Sequence, residues 1–335
     1  MSRLDQNLTF AGKPTTFNIT TWNDPSLCTL DTCPENYSAI LYVPNLGGNA
    51  FFLAWFAILL VAQTVIGIQK RTWTFFSAMI GGCILEVIGY SARILLHDNV
   101  FVFNNWLMYL ICLTIAPCFF SAAIYLTFTR FIILHGVQYA RLKPRTYTII
   151  FITWDIISLA LQAAGGGLAD TASDGGSGQT GINIMIAGLS SQVASLIIFM
   201  TLVLDFAYRV YHAEGRACVA KTYEGMQRLG RGVGWWSALV ASLIMATVLI
   251  FIRSCYRVAE LRGGFGGKLA NDEVKFMVLE GAMVALAALF LTVVHPAIVF
   301  RGTWKRRDAE TVFAKTADRA EVSQTIELNG EKGAV

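Results

Sequence analysis

FIRSCYRVAELRGGFGGKLANDEVKFMVLEG, residues Phe251–Gly281, presses five basic residues (Arg253, Arg257, Arg262, Lys268, Lys275) and four acidic ones (Glu260, Asp272, Glu273, Glu280) between two long apolar runs. Charges so placed belong at a membrane edge. Arg253, Arg257 and Glu260 fall at helical spacings of four and three, so on one helix they share a face and can pair. Gly263, Gly264, Gly266 and Gly267 then end the helix and let backbone approach backbone or a ligand head group. Glu273 and Glu280, seven apart, return on one face of the next helix, and Glu280 lies inside the apolar run that follows. A solvated loop between membrane helices would carry similar charges, apart from Glu280.

Outward from this stretch, the chain of 335 residues is 55% hydrophobic and only 14% charged, with a mean hydropathy of +0.54. Soluble domains carry roughly 25% charged residues. Seven segments are long and apolar enough to cross a hydrocarbon core as helices: 50–69, 75–95, 106–133, 147–168, 182–204, 235–252 and 276–300. The alternating segments of a barrel are absent, so the expected fold is all-α, a polytopic membrane protein with seven transmembrane helices.

Orientation follows from Lys and Arg. With the N-terminus outside and the C-terminus in the cytoplasm, the inner side collects Lys70, Arg71, Arg130, Arg141, Lys143, Arg145, Arg209, Arg216, Lys221, Arg228, Arg231, Arg301, Lys305, Arg306 and Arg307. The loops after spans 2 and 4 hold none. Only the quoted stretch places a dense set of basic residues outside, which suggests that those charges are paired or used. The N-x-[ST] acceptors Asn7, Asn18 and Asn36 all fall in the expected outer segment 1–45, as do Cys28 and Cys33, which an oxidising compartment could join in a disulfide. No cleavable signal peptide is visible, and span 1 would direct insertion. Residues 46–300 form the transmembrane domain, and 301–335 a polar cytoplasmic tail expected to be disordered, with Lys305-Arg306-Arg307 placed to meet anionic lipid.

Several spans carry polar stripes at helical spacing. Gly82, Glu86, Gly89 and Arg93 line one face of span 2 with Tyr90 beside it. A carboxylate at mid-membrane depth costs a few kcal/mol on insertion scales, so it usually turns to the bundle interior or a wet cavity. Pro117 interrupts span 3 and bends it. Asp155, Ser158, Gln162 and Gly166 share a face of span 4, and Gly188 and Gln192 one of span 5. These stripes point to one interior channel, although interhelical hydrogen bonding alone would also produce them. The Gly/Ser-rich stretch Asp170–Gly181 reads as a flexible linker. His295, beside Pro296 near the end of span 7, is more naturally a packed histidine than a proton relay.

Catalytic constellations do not emerge. The run Gly263–Leu269 fails the phosphate-loop pattern at Arg262 and Leu269, neither H-E-x-x-H nor G-x-S-x-G occurs, and His97, His135, His212 and His295 are scattered. No enzyme activity, metal, cofactor or nucleic-acid partner is expected.

The chain resembles the fungal RTA-like, lipid-translocating exporter family of seven-span proteins over roughly residues 40–300. The residues that carry the resemblance are Tyr42-x-Pro44 with Asn49, Glu86-x-x-Gly89-Tyr90-x-x-Arg93, Ala116-Pro117, Ala122-Ala123-x-Tyr125, Asp155 with Gln162, Gly188 with Gln192, Arg253 to Glu260, Glu273 and His295-Pro296. Two positions depart: Glu280 stands where the family typically has Asp, and Phe276 where Tyr is usual. The resemblance implies a fungal membrane protein, at the plasma membrane or an endomembrane, tied to sphingoid long-chain base export, lipid asymmetry or resistance to toxic amphiphiles.

Two functions then compete. One is ATP-independent transport of amphiphilic lipids or toxic amphiphiles, with Glu86, Asp155 and Glu280 offering carboxylates to a cationic head group. In that scheme Arg93, Arg253 and Arg257 balance those carboxylates in the empty site. Tyr90, Gln162, Gln192, Glu260 and Glu273 complete the expected binding set. The other is a seven-helix lipid or stress receptor that signals through its cytoplasmic loops without transport.

Overall fold

The computed structural model describes residues 8–10, 13–15, 40, 42–135, 139–171, 175–228, 233–264, 267 and 269–297. The expected glycosylation sites Asn7, Asn18 and Asn36, the expected Cys28–Cys33 disulfide and the tail from Arg301 lie outside these residues. Seven helices follow one another: α1 Leu46–Lys70, α2 Trp73–Asp98, α3 Phe103–His135, α4 Pro144–Thr171, α5 Gly175–Arg228, α6 Val233–Arg262 and α7. The last begins as one α-helical turn, Glu273–Phe276, widens into a π-helical segment, Met277–Ala282, and resumes as α-helix over Met283–Val293. Each of the seven contains a stretch long and apolar enough to cross a membrane. The protein is therefore an all-helical, multi-pass membrane protein. A short antiparallel hairpin, β1 Leu8–Phe10 with β2 Lys13–Thr15, is the one β element among the described residues.

The termini of the helices follow local chemistry. The Asn45 side chain caps α1 by accepting from the Gly48 N–H at 3.0 Å. Arg71, in the left-handed region at φ 52°, closes it. α6 stops at Gly263 and Gly264, the second of which takes φ +71°, a conformation glycine adopts without steric penalty.

Sequential helices pack side by side, and α7 returns against α1 to close the bundle. α3 also meets α6 and α7, which places it inside the ring. The bundle inverts the soluble pattern. Ile58, Val61, Val65, Ile149, Ile156 and Leu204 face outward, while Glu86, Arg93, Asp155, Arg253, Arg257, Glu260 and Glu280 are buried. This arrangement suits a hydrocarbon surround, where charged groups turn to the interior.

Two expectations need correction. The sixth span does not exit at residue 252: it runs over Ser237–Arg262, so Arg253, Arg257 and Glu260 lie buried on its final turns rather than at an edge. The helix can continue there because these charges find partners inside the bundle. Nor is Asp170–Gly181 a linker throughout: Asp170 and Thr171 belong to α4 and Gly175–Gly181 to α5, with 172–174 outside the described residues. Gly181 within it serves contact between helices. A methyl group on Gly181 would lie 2.4 Å from the Ala169 backbone nitrogen, and one on Gly165 would lie 2.6 Å from the Gly181 carbonyl oxygen. The α4 and α5 backbones meet directly at this end, as small residues permit.

Candidate functional site

Three helices assemble a buried charge cluster. Arg253 on α6 donates from Nε to Glu280 Oε1 on α7 at 3.1 Å and from Nη2 to the same oxygen, and neither side chain has appreciable exposure. Nη2 also donates to the Leu113 carbonyl of α3 at 2.8 Å. That carbonyl is available for a covalent reason: its helical partner would be the N–H of residue 117, and Pro117 has none. Proline in α3 thus supplies an acceptor to an arginine of α6. One turn along, Arg257 donates to Glu260 Oε2 at 2.6 Å, and its Nε stands 3.8 Å from Glu280 Oε2. Its Nη2 lies 3.4 Å from Thr114 Oγ1. The pairing of Arg257 with Glu260 read from the i, i+3 spacing is present.

Glu280 reaches this cluster because the π-helical segment Met277–Ala282 rephases α7. A π turn holds an extra residue relative to an α turn, so Glu273 and Glu280 do not serve one surface, contrary to the expectation from their spacing. Glu273 instead accepts the Asn45 backbone N–H at 2.5 Å, holding the start of α1 against the start of α7. Beside it Asp272 caps the first turn of α7. The Lys275 ammonium at 3.0 Å and the Lys275 N–H hold the Asp272 carboxyl below the usual carboxylate range.

Glu86 of α2 completes the cluster from the opposite side, within electrostatic reach of both Glu280 and Arg253. It is buried and makes no hydrogen bond or ion pair among the described residues. Tyr90, one turn away, stacks on Phe52 at 5.2 Å and Phe56 at 5.9 Å, with its hydroxyl pressed against Gly281, where a methyl group would come within 2.8 Å of the oxygen. Tyr90 Oη, Arg253 Nη1, Arg257 Nε and Glu280 Oε2 are buried without hydrogen-bond partners. These atoms have no protein partner among the described residues, and buried polar groups left in that way call for an explanation. At its α6–α7 end, Arg257 and Glu260 line a pocket of about 20 Å³ with Ile40, Trp106, Tyr109 and Asn271, room for a water or two.

Arg93 does not balance these carboxylates, contrary to expectation. Its guanidinium lies over the Phe276 ring at 4.0 Å and the Tyr109 ring at 5.0 Å. Nε donates to Asn49 Oδ1 at 2.9 Å and Nη2 to the Tyr42 hydroxyl at 3.1 Å. Aromatic faces and neutral oxygens hold the charge instead of a carboxylate. The reason is position: two turns along α2 from Glu86, Arg93 lies past the acids and among the aromatics. Phe276, noted above only as a departure from the family pattern, supplies the nearest of those faces.

Asp155, Gln162 and Gln192 form a second centre between α3, α4 and α5. Asp155 hydrogen-bonds the Tyr125 hydroxyl. Gln162 Nε2 lies 3.4 Å from Gln192 Oε1, and Gln192 Nε2 donates to Cys118 Sγ at 2.9 Å. Trp154 Nε1 donates to Ser191 Oγ at 2.8 Å. The Cys118 thiol stands between the two centres, in electrostatic reach of Asp155 and of Arg253. The polar stripes therefore gather at two neighbouring points, not in one channel. Ser121, Tyr109, Thr114 and Ser195 escaped the sequence reading as site residues, although Ser195 sits three residues beyond Gln192 on the same stripe and could have been found by extending it.

At the far end of α7, His295 packs edge-on against Phe75 at 4.8 Å and its Nδ1 accepts the Ala297 N–H at 3.1 Å. Burial pushes its pKa down to about 4, so the ring is neutral and packed. No group of His, Cys, Asp and Glu among the described residues could hold a metal ion.

The family model described as "RTA1 like protein" matches residues 79–303. The chain belongs to the RTA1-like family. Among its relatives, the sphingoid long-chain base transporter RSB1 of Saccharomyces cerevisiae is 36% identical over 282 residues, 78% of this chain and 74% of that protein. Protein RTM1 of the same organism is 30% identical over 67% of this chain and 68% of its own length. Protoporphyrin uptake protein 1, also from Saccharomyces cerevisiae, is 31% identical over 63% of this chain and 65% of its own. No solved structure matches the chain. Both buried centres fall within the matched residues, so the RTA1-like segment contains the charge cluster whole, from Glu86 to Glu280.

Proposed function

We propose that this RTA1-like protein moves cationic amphiphiles of the sphingoid long-chain base type across its membrane without ATP, and so protects the cell from them. The observation that carries this reading is Glu86, a buried carboxylate with no ion pair or hydrogen bond among the described residues, set beside an Arg253–Glu280 pair that has unpartnered atoms of its own. In this cluster the two guanidinium groups of Arg253 and Arg257 face the carboxyl groups of Glu86, Glu260 and Glu280, so with Glu86 ionised the acids outnumber the bases by one. An ammonium head group entering from the α6–α7 end would supply the missing positive charge, and its hydrocarbon chain would lie along the apolar outer helix faces. A relative sharing 36% identity is the sphingoid long-chain base transporter RSB1, whose cargo has that chemistry.

The test uses the purified chain in vesicles with a fluorescent sphingoid base, scoring its arrival in the opposite leaflet. Transport above protein-free vesicles is expected. Glu86→Gln should reduce it severalfold, whereas Glu273→Gln, at a carboxylate engaged with the Asn45 N–H, should leave it near the unaltered rate. Binding without movement by the unaltered chain would overturn the proposal in favour of a receptor.

A further inference from the structure

The second centre differs from the first in one respect: it has a carboxylate but no cation. Asp155 is buried at the middle of α4, and among the described residues it enters no salt bridge. Its surroundings follow from the register of α4 against α5. Phe151 meets Phe199 with ring centroids 5.3 Å apart, Ser158 Oγ lies 3.3 Å from Ser191 Oγ, and a methyl group on Gly188 would touch Gln162 at 2.9 Å. In this antiparallel pairing the α5 residue level with Asp155 is Ser195. Its hydroxyl is fully buried and has no hydrogen-bond partner.

Asp155 is therefore enclosed by groups that can work with either of its protonation states. From α3, Tyr125 donates to the ionised carboxylate, with Ser121 bonded to Tyr125 in turn. From α5, the unengaged Ser195 hydroxyl can donate to a carboxylate or accept from a carboxylic acid. The other titratable groups facing this centre are the Cys118 thiol of α3 and, through it, Arg253 of α6; among the described residues α5 brings the neutral Ser191, Gln192 and Ser195. A buried carboxylate fixed for structure alone would be expected to keep a permanent cation or a full set of donors. A shell of hydroxyls with one place open suits a group that changes charge.

We infer that Asp155 is a proton-exchange site, distinct from the amphiphile-binding cluster and coupled to it across Cys118, at which a proton is taken up and released during each transport cycle. The chemistry is one O–H bond formed or broken at an Asp155 oxygen, with water on either side of the membrane as donor and acceptor. Nearby, Arg253 of the amphiphile cluster senses the change in charge. The coupling half of this inference rests on the proposed transport; the proton exchange does not.

The experiment therefore has two arms. Infrared difference spectra of the purified full chain in vesicles, stepped in pH, should show a buried carboxylic C=O band that is absent from Asp155→Asn and shifted in Ser195→Ala, which keeps the acid and alters only its neighbour. A band unchanged in both variants overturns the proton site. In the second arm, an imposed pH gradient should drive accumulation of the fluorescent sphingoid base by the unaltered chain. Asp155→Asn should lose that dependence while still equilibrating the base downhill. Equal response of Asp155→Asn to the gradient overturns the coupling, as does an accumulation driven by a Na⁺ gradient in its place. No movement by any variant, with the carboxylic band still tied to Asp155, overturns the coupling and the transport proposal together while leaving the proton site standing.

Discussion

Arg253 is fully buried, and its two donations to Glu280 and one to the Leu113 carbonyl leave Nη1 without a partner. A buried pair of this kind is asymmetric in its energetics. Removing one member strands a charge at a cost of roughly 3–5 kcal/mol, while replacing both with apolar residues of similar volume is often neutral. Arg253→Met alone should thus lower the thermal midpoint of the detergent-purified protein well below that of Arg253→Met combined with Glu280→Leu, and a double-mutant cycle measures the coupling. His295 gives a second prediction at this scale. Its folded pKa of about 4 lies below the ordinary value of 6.5, so the unfolded chain takes up the proton first as the pH falls. Stability from this group is full above about pH 6.5 and declines toward pH 4, by about 3 kcal/mol in all. His295→Phe should flatten that portion of the stability profile, read as the thermal midpoint against pH.

At the scale of the element, irregularities in otherwise apolar helices place the charged groups. Pro117 frees a carbonyl for Arg253, and the π-helical segment Met277–Ala282 brings Glu280 inward. Glycines set how near the helices come. Gly181 and Gly167 lie on the adjoining helices α5 and α4, yet a methyl group would fall 2.4 Å from backbone on the first and meet nothing within 4 Å on the second. Gly181→Ala must push α4 and α5 apart, an overpacking worth roughly 1–3 kcal/mol of destabilisation. Gly167→Ala should instead stabilise its helix by about 0.5–1 kcal/mol through lower chain entropy. Thermal unfolding of the two variants side by side checks both signs. The glycine-rich composition of Asp170–Gly181 reads as a linker because composition reports flexibility; the backbone contact at Gly165 and Gly181 appears only when two helices are docked.

For the molecule as a whole, the seven-span arrangement and the density of Lys and Arg in alternate loops predict an N-terminus outside the cytoplasm. Glycan removal should then raise the gel mobility of the expressed protein, and substituting Asn7, Asn18 and Asn36 together should abolish that shift; an unglycosylated protein with a protease-protected N-terminus would reverse the orientation. The two buried centres divide the bundle's interior. The arginine-bearing centre lies among α2, α3, α6 and α7, and the arginine-free one among α3, α4 and α5, with α3 common to both. A helix shared in this way can transmit a change of charge at Asp155 to Arg253 without a continuous cavity, since Pro117 has already loosened its hydrogen bonding between them.

Membership of an all-helical membrane class, the number of crossings and the candidate polar residues are written in the chain itself. Hydropathy is a local sum, and a charge inside an apolar run is conspicuous wherever the run finally packs. Pairing is another matter. Whether Arg93 meets an acid or an aromatic ring, whether Glu273 joins Glu280 or the start of α1, and which hydroxyl stands level with Asp155 all depend on helix phase and on the register between helices far apart in sequence. A shift of one residue in either turns a side chain by about 100°, and only the docked bundle fixes that angle.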